Sequence, residues 1–369
     1  MRRGTIIFIL FALVAAAIVG ASQFLRSQPP MEFTVAVNPL AAEWVRAAVN
    51  AYNDTQPVVN TTQRIQFAVQ VVDDLSVWQG NTNWTPENHP AAWIPASSVS
   101  IGYSERYTPV VASVARTPLV WGGYASRVEV VTRGGAEPFD WDAVQRVAAG
   151  ESWSRAGGES NWGFVKLAFP RPDQSMSGLA VLFSGAASFH DSSDLAGGAT
   201  RAPDFREWLT PVVESVPNFQ TLGADPAAAM ARGASTVDIA LLPESFWLLN
   251  LNGLLNNEPI VFSYPAYQYM LDFPLAGWRN PLPTDPNAPI EQAAVQALAT
   301  WLTGAARQSQ LVTHGLRPAT SEPTETASLF SAGDSYGIQL APDFTQLVQP
   351  PSRSETQGLV QWFTQTALR

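Results

Sequence analysis

The sequence contains no cysteine, one lysine (Lys166) and three histidines among its 369 residues. The absence of cysteine excludes disulfides, thiolate metal sites, thiol nucleophiles and the acylated cysteine of a bacterial lipoprotein. With a net charge of −10 the chain has no basic stripe that could follow a phosphate backbone, so we expect no nucleic-acid partner. His89, His190 and His314 show no i,i+3 or i,i+4 spacing, so we predict no metal site and no cofactor.

Hydrophobic residues, in contrast, make up 46% of the chain. That share is enough for a substantial core, and the length is sufficient for two domains of ordinary size. We find no internal repeat.

The N-terminus has the pattern of an export signal. Arg2 and Arg3 precede an uncharged apolar run at residues 5–21, and a polar, proline-containing segment follows at residues 22–30. The run can be a cleaved signal peptide or a retained membrane anchor, and the lack of a clean A-x-A cleavage site favours the anchor. Because the arginines place the N-terminus in the cytoplasm, we predict that the rest is extracytoplasmic, either secreted or tethered to the membrane.

Strand and helix patterns alternate after residue 30. Short apolar runs predict strands at residues 33–37, 65–72, 91–94, 128–132, 237–242 and 260–263. Apolar residues at helical spacing predict helices at residues 41–54, 139–149, 204–213, 227–231, 292–305 and 354–368, whereas residues 320–336 have the composition of a loop. Such alternation is typical of an α/β fold.

The stretch 169–183 predicts a helix start with exposed polar groups. Pro170 and Pro172 end the preceding apolar run, and Asp173, Ser175 and Ser177 are candidate caps for the helix that follows. The first turn of a helix has unpaired N–H groups and a partial positive charge, which favour an oxygen-rich or anionic ligand. An ordinary capped helix with no ligand remains the alternative interpretation.

Candidate ligand contacts also lie just after three of the predicted strands. Asn38 and Pro39 follow the first, Ser97 and Ser98 follow the third, and Glu244 follows the fifth. In open α/β sheets, ligands bind outside the carboxyl ends of the strands. These positions are therefore candidate ligand contacts.

Five segments contain short motifs in a fixed order along the chain. They are residues 91–98 (AAWIPASS), 117–120 (TPLV), 173–179 (DQSMSGL), 264–265 (YP) and 308–318 (QSQLVTHGLRP). In these motifs the chain resembles the bacterial extracellular solute-binding proteins of ABC uptake systems. The resemblance is to their two-lobed type II class, which includes molybdate and sulfate binders. Leu316 stands where that family usually has phenylalanine.

The resemblance implies a two-lobed α/β periplasmic-binding-protein fold with a ligand cleft that closes about a hinge. Residues 1–30 would be the signal or anchor with its tether, residues 31–127 and 262–369 lobe one, and residues 128–261 lobe two. Arg317, in the last motif, would be structural. Carried over position by position, the predicted ligand contacts are Asn38, Pro39, Ser97, Ser98, Asp173, Ser175, Ser177, Gly178, Glu244 and Tyr264.

The sequence contains only two candidate sets of catalytic residues. Ser177, His190 and Asp173 include the residue types of a hydrolytic triad, but no G-x-S-x-G elbow surrounds the serine. Asp173 and Glu244 could instead form a glycosidase pair. We expect no enzymatic activity. Among the 13 tryptophans, the four that lie near predicted loops are candidates for stacking on a sugar: Trp78, Trp84, Trp121 and Trp162.

The functional expectation is a monomeric receptor that captures a small polar or anionic solute for an ABC-type permease. A non-transport binding or sensor module on the same fold and, less favoured, a secreted hydrolase are the alternatives. The charge of the solute stays open at this point. Helix starts favour an oxyanion, whereas Asp173 and Glu244 at the cleft would favour a hydroxylated or cationic ligand.

Overall fold

The computed structural model describes residues 29–279 and 285–367 and, near the N-terminus, Phe8, Phe11, Leu13 and Val14. The predicted export signal at residues 5–21 and the tether at residues 22–30 therefore lie almost entirely outside the described residues. Across the described ranges, no helix combines the length and apolar character needed to cross a bilayer.

The strands of the described chain form two separate sheets. They are β1 (Met31–Val37), β2 (Val58–Val59), β3 (Gln63–Val71), β4 (Ala92–Ile94), β5 (Tyr107–Val111), β6 (Thr117–Tyr124), β7 (Leu167–Ala168), β8 (Ile239–Pro243), β9 (Ile260–Ser263), β10 (Met270–Leu271) and β11 (Leu275–Trp278).

Helices connect most of these strands. They are α1 (Ala42–Asp54), α2 (Asp74–Trp78), α3 (Ser98–Ser104), α4 (Ala125–Val131), α5 (Trp141–Ala149), α6 (Trp153–Ala156), α7 (Met176–His190), α8 (Pro203–Glu214), α9 (Phe219–Leu222), α10 (Pro226–Met230), α11 (Glu244–Leu255), α12 (Ala288–Leu302), α13 (Ala305–Gln308), α14 (Ser328–Asp334) and α15 (Arg353–Ala367). Short 3-10 turns lie at Pro39–Ala41, Ser160–Trp162, Ala196–Arg201 and Leu311–His314.

The first sheet has the order β2-β3-β1-β4-β11-β5 and defines lobe one. Its centre is parallel, because β1 pairs in parallel with both β3 and β4, whereas β11 runs antiparallel to β4 and β5. Helix α1 covers this sheet with the apolar face that the sequence predicts, from Ala42 through Trp44, Val45, Ala48 and Val49 to Tyr52. The parallel core places the carboxyl ends of β1, β3 and β4 at one edge.

The second sheet has the order β10-β6-β8-β7, with β9 paired to β6, and defines lobe two. All eight residues of β6 are buried. Gly122 in this strand allows the Trp247 ring of α11 to pack against the backbone, since a Cβ at this position would lie 2.6 Å from that ring. Strands β7 and β8 are parallel, so their carboxyl ends also meet at one edge.

Two predicted segments differ from the structure. Residues 128–132 were expected as a strand, but α4 includes them up to Val131, with Arg127, Val128 and Val131 buried at helical spacing. The three valines favour a strand locally, and burial on one helix face outweighs that preference. Residues 320–336 were expected as a loop, but α14 forms there, because Phe330 and Gly333 lie on its buried face.

The strand pairing bears on how the lobes are connected. Strand β6 pairs in the second sheet although residues 117–124 precede the predicted boundary at residue 128. Strand β10 also pairs with β6, although it follows the predicted return at residue 262. These segments are the two connections between the sheets, and the boundaries at 127/128 and 261/262 stay predictions.

The core explains most of the tryptophans. Trp78, Trp84 and Trp121 are buried. Trp162 is partly exposed, and the Arg127 guanidinium lies 3.8 Å from the centre of its ring. None of the four lines the cleft described below, so their contacts are those of packing.

A buried arginine connects the start of α11 to the C-terminal part of the chain. The fully buried Arg317 donates from Nε and Nη2 to the two oxygens of Glu244 at 2.7 and 2.8 Å. It also donates to the carbonyls of Leu340 and Gln339 at 2.8 and 2.5 Å, while the Tyr264 hydroxyl donates to Glu244. Glu244 begins α11 of lobe two, so this forked pair fixes lobe two to the C-terminal segments.

Replacing Arg317 with Met should destabilise the protein strongly. Glu244 would stay buried without its partner, and breaking such a pair costs about 3–5 kcal/mol. The free energy of unfolding in urea measures this, with Arg46→Met as control. Arg46 is an exposed arginine paired with Glu43 at 2.6 Å, and its loss should cost less than about 1 kcal/mol. Equal losses in the two variants would contradict the structural role of Arg317.

Candidate functional site

One wall of the candidate site is organised by the carboxylate of Asp74. Asp74 is fully buried in the first turn of α2, just after β3. Its oxygens accept hydrogen bonds from Asn38 Nδ2 at 2.8 Å, from the backbone N–H groups of Ala96 and Ser97 at 2.9 and 3.3 Å, and from Ser100 Oγ at 2.7 Å. Since a buried carboxylate needs such donors, Asp74 holds the ends of β1, β3 and β4 in one arrangement.

Asp73 adds a second carboxylate beside the first. Its Oδ1 accepts a hydrogen bond from the Leu75 N–H at 3.1 Å, and its Oδ2 accepts one from Asn38 Nδ2 at 3.3 Å. Burial and the charge of Asp74 raise the pKa of Asp73 well above its usual range, against the opposing effect of the N–H groups of Leu75 and Met176. Burial also raises the pKa of Asp74 to about 6, although its hydrogen bonds act to lower it.

The opposite wall is the start of α7 in lobe two. Ser175 caps the helix, because its Oγ accepts a hydrogen bond from the Gly178 N–H at 3.1 Å and donates to the Arg171 carbonyl at 3.0 Å. Ser177 Oγ donates to Ser175 Oγ at 3.2 Å. A Cβ at Gly178 would lie 2.4 Å from the Pro170 carbonyl oxygen, so only glycine allows this close approach. The predicted helix start is confirmed.

Arg171 supplies a cation on this wall, and an adjacent carboxylate neutralises it. Its Nε and Nη2 donate to Asp173 Oδ1 and Oδ2 at 3.0 and 2.6 Å. The two side chains are only 16% and 15% exposed, so water screens the pair weakly. Asp173 therefore bonds to Arg171 rather than projecting as a free carboxylate.

A cleft of about 470 Å³ lies between the two walls. Lobe one contributes residues that follow β1 and β3, and lobe two contributes residues that follow β7 and β8 together with the turn around α9. The lining residues are Asn38, Pro39, Leu40, Asp73, Pro170, Arg171, Gln174, Ser175, Ser177, Phe219, Gln220, Gly223, Ala224 and Phe246. A cleft of this size at the carboxyl ends of parallel strands fits a small-molecule site.

The structure brings four of the predicted contacts together. Asn38 and Pro39 line the cleft from lobe one, and Ser175 and Ser177 line it from lobe two. Gly178 lies directly behind the second wall, where it allows the helix to approach Pro170. A role for these residues in binding a ligand stays a prediction.

The other predicted contacts lie away from this cleft. Ser97 Oγ shares a hydrogen bond with the Tyr269 hydroxyl at 2.8 Å, and the Ser98 N–H donates to Asp272 at 2.8 Å. Both serines line a separate hollow of about 490 Å³. Glu244 belongs to the buried Arg317 network, together with Tyr264. Ser97, Ser98, Glu244 and Tyr264 thus bond to other protein groups in this structure, and none of them lines the cleft.

Sequence reasoning missed several lining residues, of which Asp73 is the most informative. The strand-end rule that selected Asn38 would also have selected Asp73, since it follows the predicted strand 65–72 just as directly. Phe219 and Phe246 come from α9 and α11, neither of which the sequence predicted, so their place at the cleft had no local signal.

The hydrolytic alternatives find no support in the contacts. Ser177 Oγ bonds to Ser175, Asp173 bonds to Arg171, and His190 Nε2 lies 2.9 Å from the Ala199 carbonyl oxygen. The triad candidates thus have separate partners. Over residues 29–279 and 285–367, no group of three or more histidine or acidic residues is arranged to hold a metal ion.

Comparison with protein-family models gives no match, and comparison with curated proteins gives none either. Solved structures do match. An ABC-transporter solute-binding protein from Thermotoga lettingae, bound with α-D-tagatose, has a TM-score of 0.59 at 13% identity, over 91% of this chain and 93% of that chain.

Two further solved structures agree with the first. An ABC substrate-binding protein from Listeria monocytogenes in complex with cycloalternan has a TM-score of 0.59 at 10% identity, over 92% of this chain and 95% of its own. A periplasmic thiamin binding protein has a TM-score of 0.58 at 9% identity, over 93% and 98%. The chain therefore has the two-lobed type II periplasmic-binding-protein fold, which confirms the predicted fold class.

Gly178→Ala should destabilise the protein by about 1–3 kcal/mol, because the added methyl group would press on the Pro170 carbonyl and displace the start of α7. The midpoint of urea unfolding measures the loss. Gly358→Ala in α15 is the matched control, since nothing lies within 4 Å of its added Cβ. That variant should be unchanged or gain up to about 1 kcal/mol, and a similar gain at Gly178 would contradict the close approach described here.

The unliganded protein should gain stability from the Asp73–Asp74 pair as the pH falls from 7.5 to 5. Both folded-state pKa values are raised, that of Asp74 to about 6, whereas the pKa of an aspartate in the unfolded chain is about 3.9. The folded chain then takes up protons before the unfolded chain does, so the free energy of unfolding rises on acidification. Urea unfolding of wild type and Asp73→Asn across this range should show a smaller rise in the variant. Identical pH slopes would contradict this assignment.

Proposed function

We propose that this chain is an extracytoplasmic solute-binding protein that captures a small polar solute between its lobes for an ABC-type importer. The observation that carries the proposal is the cleft itself, because its two walls come from different lobes. Asn38 and Asp73 lie on one side, and Arg171, Ser175 and Ser177 lie on the other. A solute that contacts both sides favours the closed arrangement over the open one.

The walls are suited to capture because each is rigid before a solute arrives. Asp74 holds the strand ends of lobe one through four hydrogen bonds, and Ser175 fixes the start of α7 in lobe two. The lobes also touch beside the cleft, where Met176 Sδ lies 3.7 Å from Ser100 Oγ. Rigid walls reduce the ordering cost of binding, so closure can be a movement of whole lobes.

The matched structures support solute capture as the role of this fold. They are binding proteins for α-D-tagatose, cycloalternan and thiamin, and two of them are ABC-transporter proteins. We infer a monomer that works with a permease and reaches the extracytoplasmic side through residues 5–21, either anchored or cleaved. A sensor module on the same fold is the second candidate, and a permease gene beside this one would favour transport.

A solute screen by thermal unfolding tests the proposal. Sugars, amino acids, polyamines and oxyanions should include at least one compound that stabilises the protein, by about 2.7 kcal/mol at 100 times its dissociation constant. Gln174→Trp should abolish that stabilisation, because the exposed Gln174 lines the cleft and an indole would fill it.

The matched control is Gln296→Trp, which changes an exposed glutamine on α12 that does not line the cleft. This variant should keep the full stabilisation. Stabilisation that persists in Gln174→Trp would place the binding site elsewhere. Conversion of the bound compound to a product would favour the hydrolase interpretation over capture.

A further inference from the structure

The cleft contains a carboxylate, that of Asp73, with no cationic partner among residues 29–279 and 285–367. Among the ion pairs of the described chain, none includes Asp73 or Asp74. The hydrogen bonds to Asp73 come from uncharged donors, the N–H groups of Leu75 and Met176 and the Asn38 amide. When they are ionised, the two adjacent aspartates therefore place negative charge on the lobe-one wall that no ion pair of the described chain balances.

The cation on the other wall does not balance this charge. Arg171 is the only lysine, arginine or histidine among the described lining residues. Both of its charged bonds go to Asp173, at 3.0 and 2.6 Å, in a fork that leaves the pair neutral. The lining of the cleft together with Asp173 thus carries a net negative charge.

Two of the N–H groups at the start of α7 already have partners. The Gly178 N–H already donates to Ser175 Oγ at 3.1 Å, and the Met176 N–H faces the Asp73 carboxylate. An internal carboxylate from lobe one thus occupies the position that an anionic ligand would need. This contact removes the feature that favoured an anionic solute at the sequence level.

The remaining lining surface is largely apolar. Pro39 and Leu40 from lobe one and Pro170, Phe219 and Phe246 from lobe two contribute hydrophobic walls. Such walls favour a ligand with a hydrocarbon or aromatic body, and the two phenylalanine rings can also attract a cation through their faces.

We propose that the cleft selects a small organic ammonium compound, whose positively charged nitrogen binds Asp73 and whose apolar body packs between Leu40, Pro170 and Phe246. The inference rests on the solute-binding function proposed above and specifies the chemical class of its solute. Asp73 is the residue that determines specificity, and Asp74 holds it in place.

Two sets of probes of matched shape test the charge preference. The aromatic set is tyramine, tyrosol and 4-hydroxyphenylacetate, and the aliphatic set is putrescine, 1,4-butanediol and succinate. Calorimetry with the full-length protein should show that, in at least one set, the ammonium compound binds at least tenfold more tightly than its neutral and anionic counterparts. Raising the salt concentration from 50 to 500 mM should lower the affinity of the ammonium compound more than that of the other two.

Asp73→Asn should remove that preference. The affinity for tyramine or putrescine should fall at least tenfold, while the affinity for the neutral member stays within about threefold, a split that general damage to the cleft would not produce. Asp173→Asn is a second variant on the opposite wall. It frees the charge of Arg171, so it should weaken ammonium binding severalfold and strengthen binding of the carboxylate member.

Failure of this inference is distinct from failure of the proposed function. Tighter binding of a neutral or anionic member, or an ammonium affinity unchanged in Asp73→Asn, would overturn the assigned class while leaving solute capture intact. Absence of binding by both ammonium probes at 10 mM would overturn it as well. Solute capture itself fails only if no compound of the wider screen shows the expected pattern. In that pattern, the compound stabilises wild type and Gln296→Trp but does not stabilise Gln174→Trp.

Discussion

The structure depends most on one buried carboxylate, that of Asp74. Its four hydrogen bonds reach the segments that follow β1 and β4 and the first turn of α3, so a single charge fixes the edge of the lobe-one sheet. Because all four donors are uncharged, the hydrogen bonds satisfy the oxygens without cancelling the charge. The negative potential therefore persists at the cleft, and Asp73 adds to it.

Other buried carboxylates of the chain are treated differently. Glu244 has a forked bond to Arg317, and Asp238 has Arg127 at 3.3 Å and Lys166, the only lysine of the chain, at 3.0 Å. These pairs lie in the structural interior, where an uncompensated charge would be costly. At the cleft, in contrast, Asp73 bonds to uncharged groups, and a cationic solute could neutralise it.

The local patterns predicted much of the fold and part of the site. Helical spacing identified α1, α5, α8 and α12, and the strand-end rule identified Asn38 and, through the helix start, Ser175 and Ser177. The same rule also selected Ser97 and Glu244, which have protein partners in this structure that position along a strand does not reveal. Ser97 bonds to Tyr269 and Glu244 bonds to Arg317, which lie 172 and 73 positions away in the sequence.

The sequence by itself determined the alternation of strands and helices, the capped start of α7 and the absence of thiol and polybasic chemistry, because these follow from residue type and short-range spacing. Only the tertiary structure decided which carboxylates face the cleft. The net charge at a binding site depends on which carboxylates an arginine reaches. Glu244 pairs with Arg317, 73 positions away, and Asp173 pairs with the nearby Arg171, whereas Asp73 contacts uncharged donors beside the equally unpaired Asp74. Residue order alone does not show which of these pairs form or which carboxylates face the cleft, because both depend on how the chain folds in three dimensions.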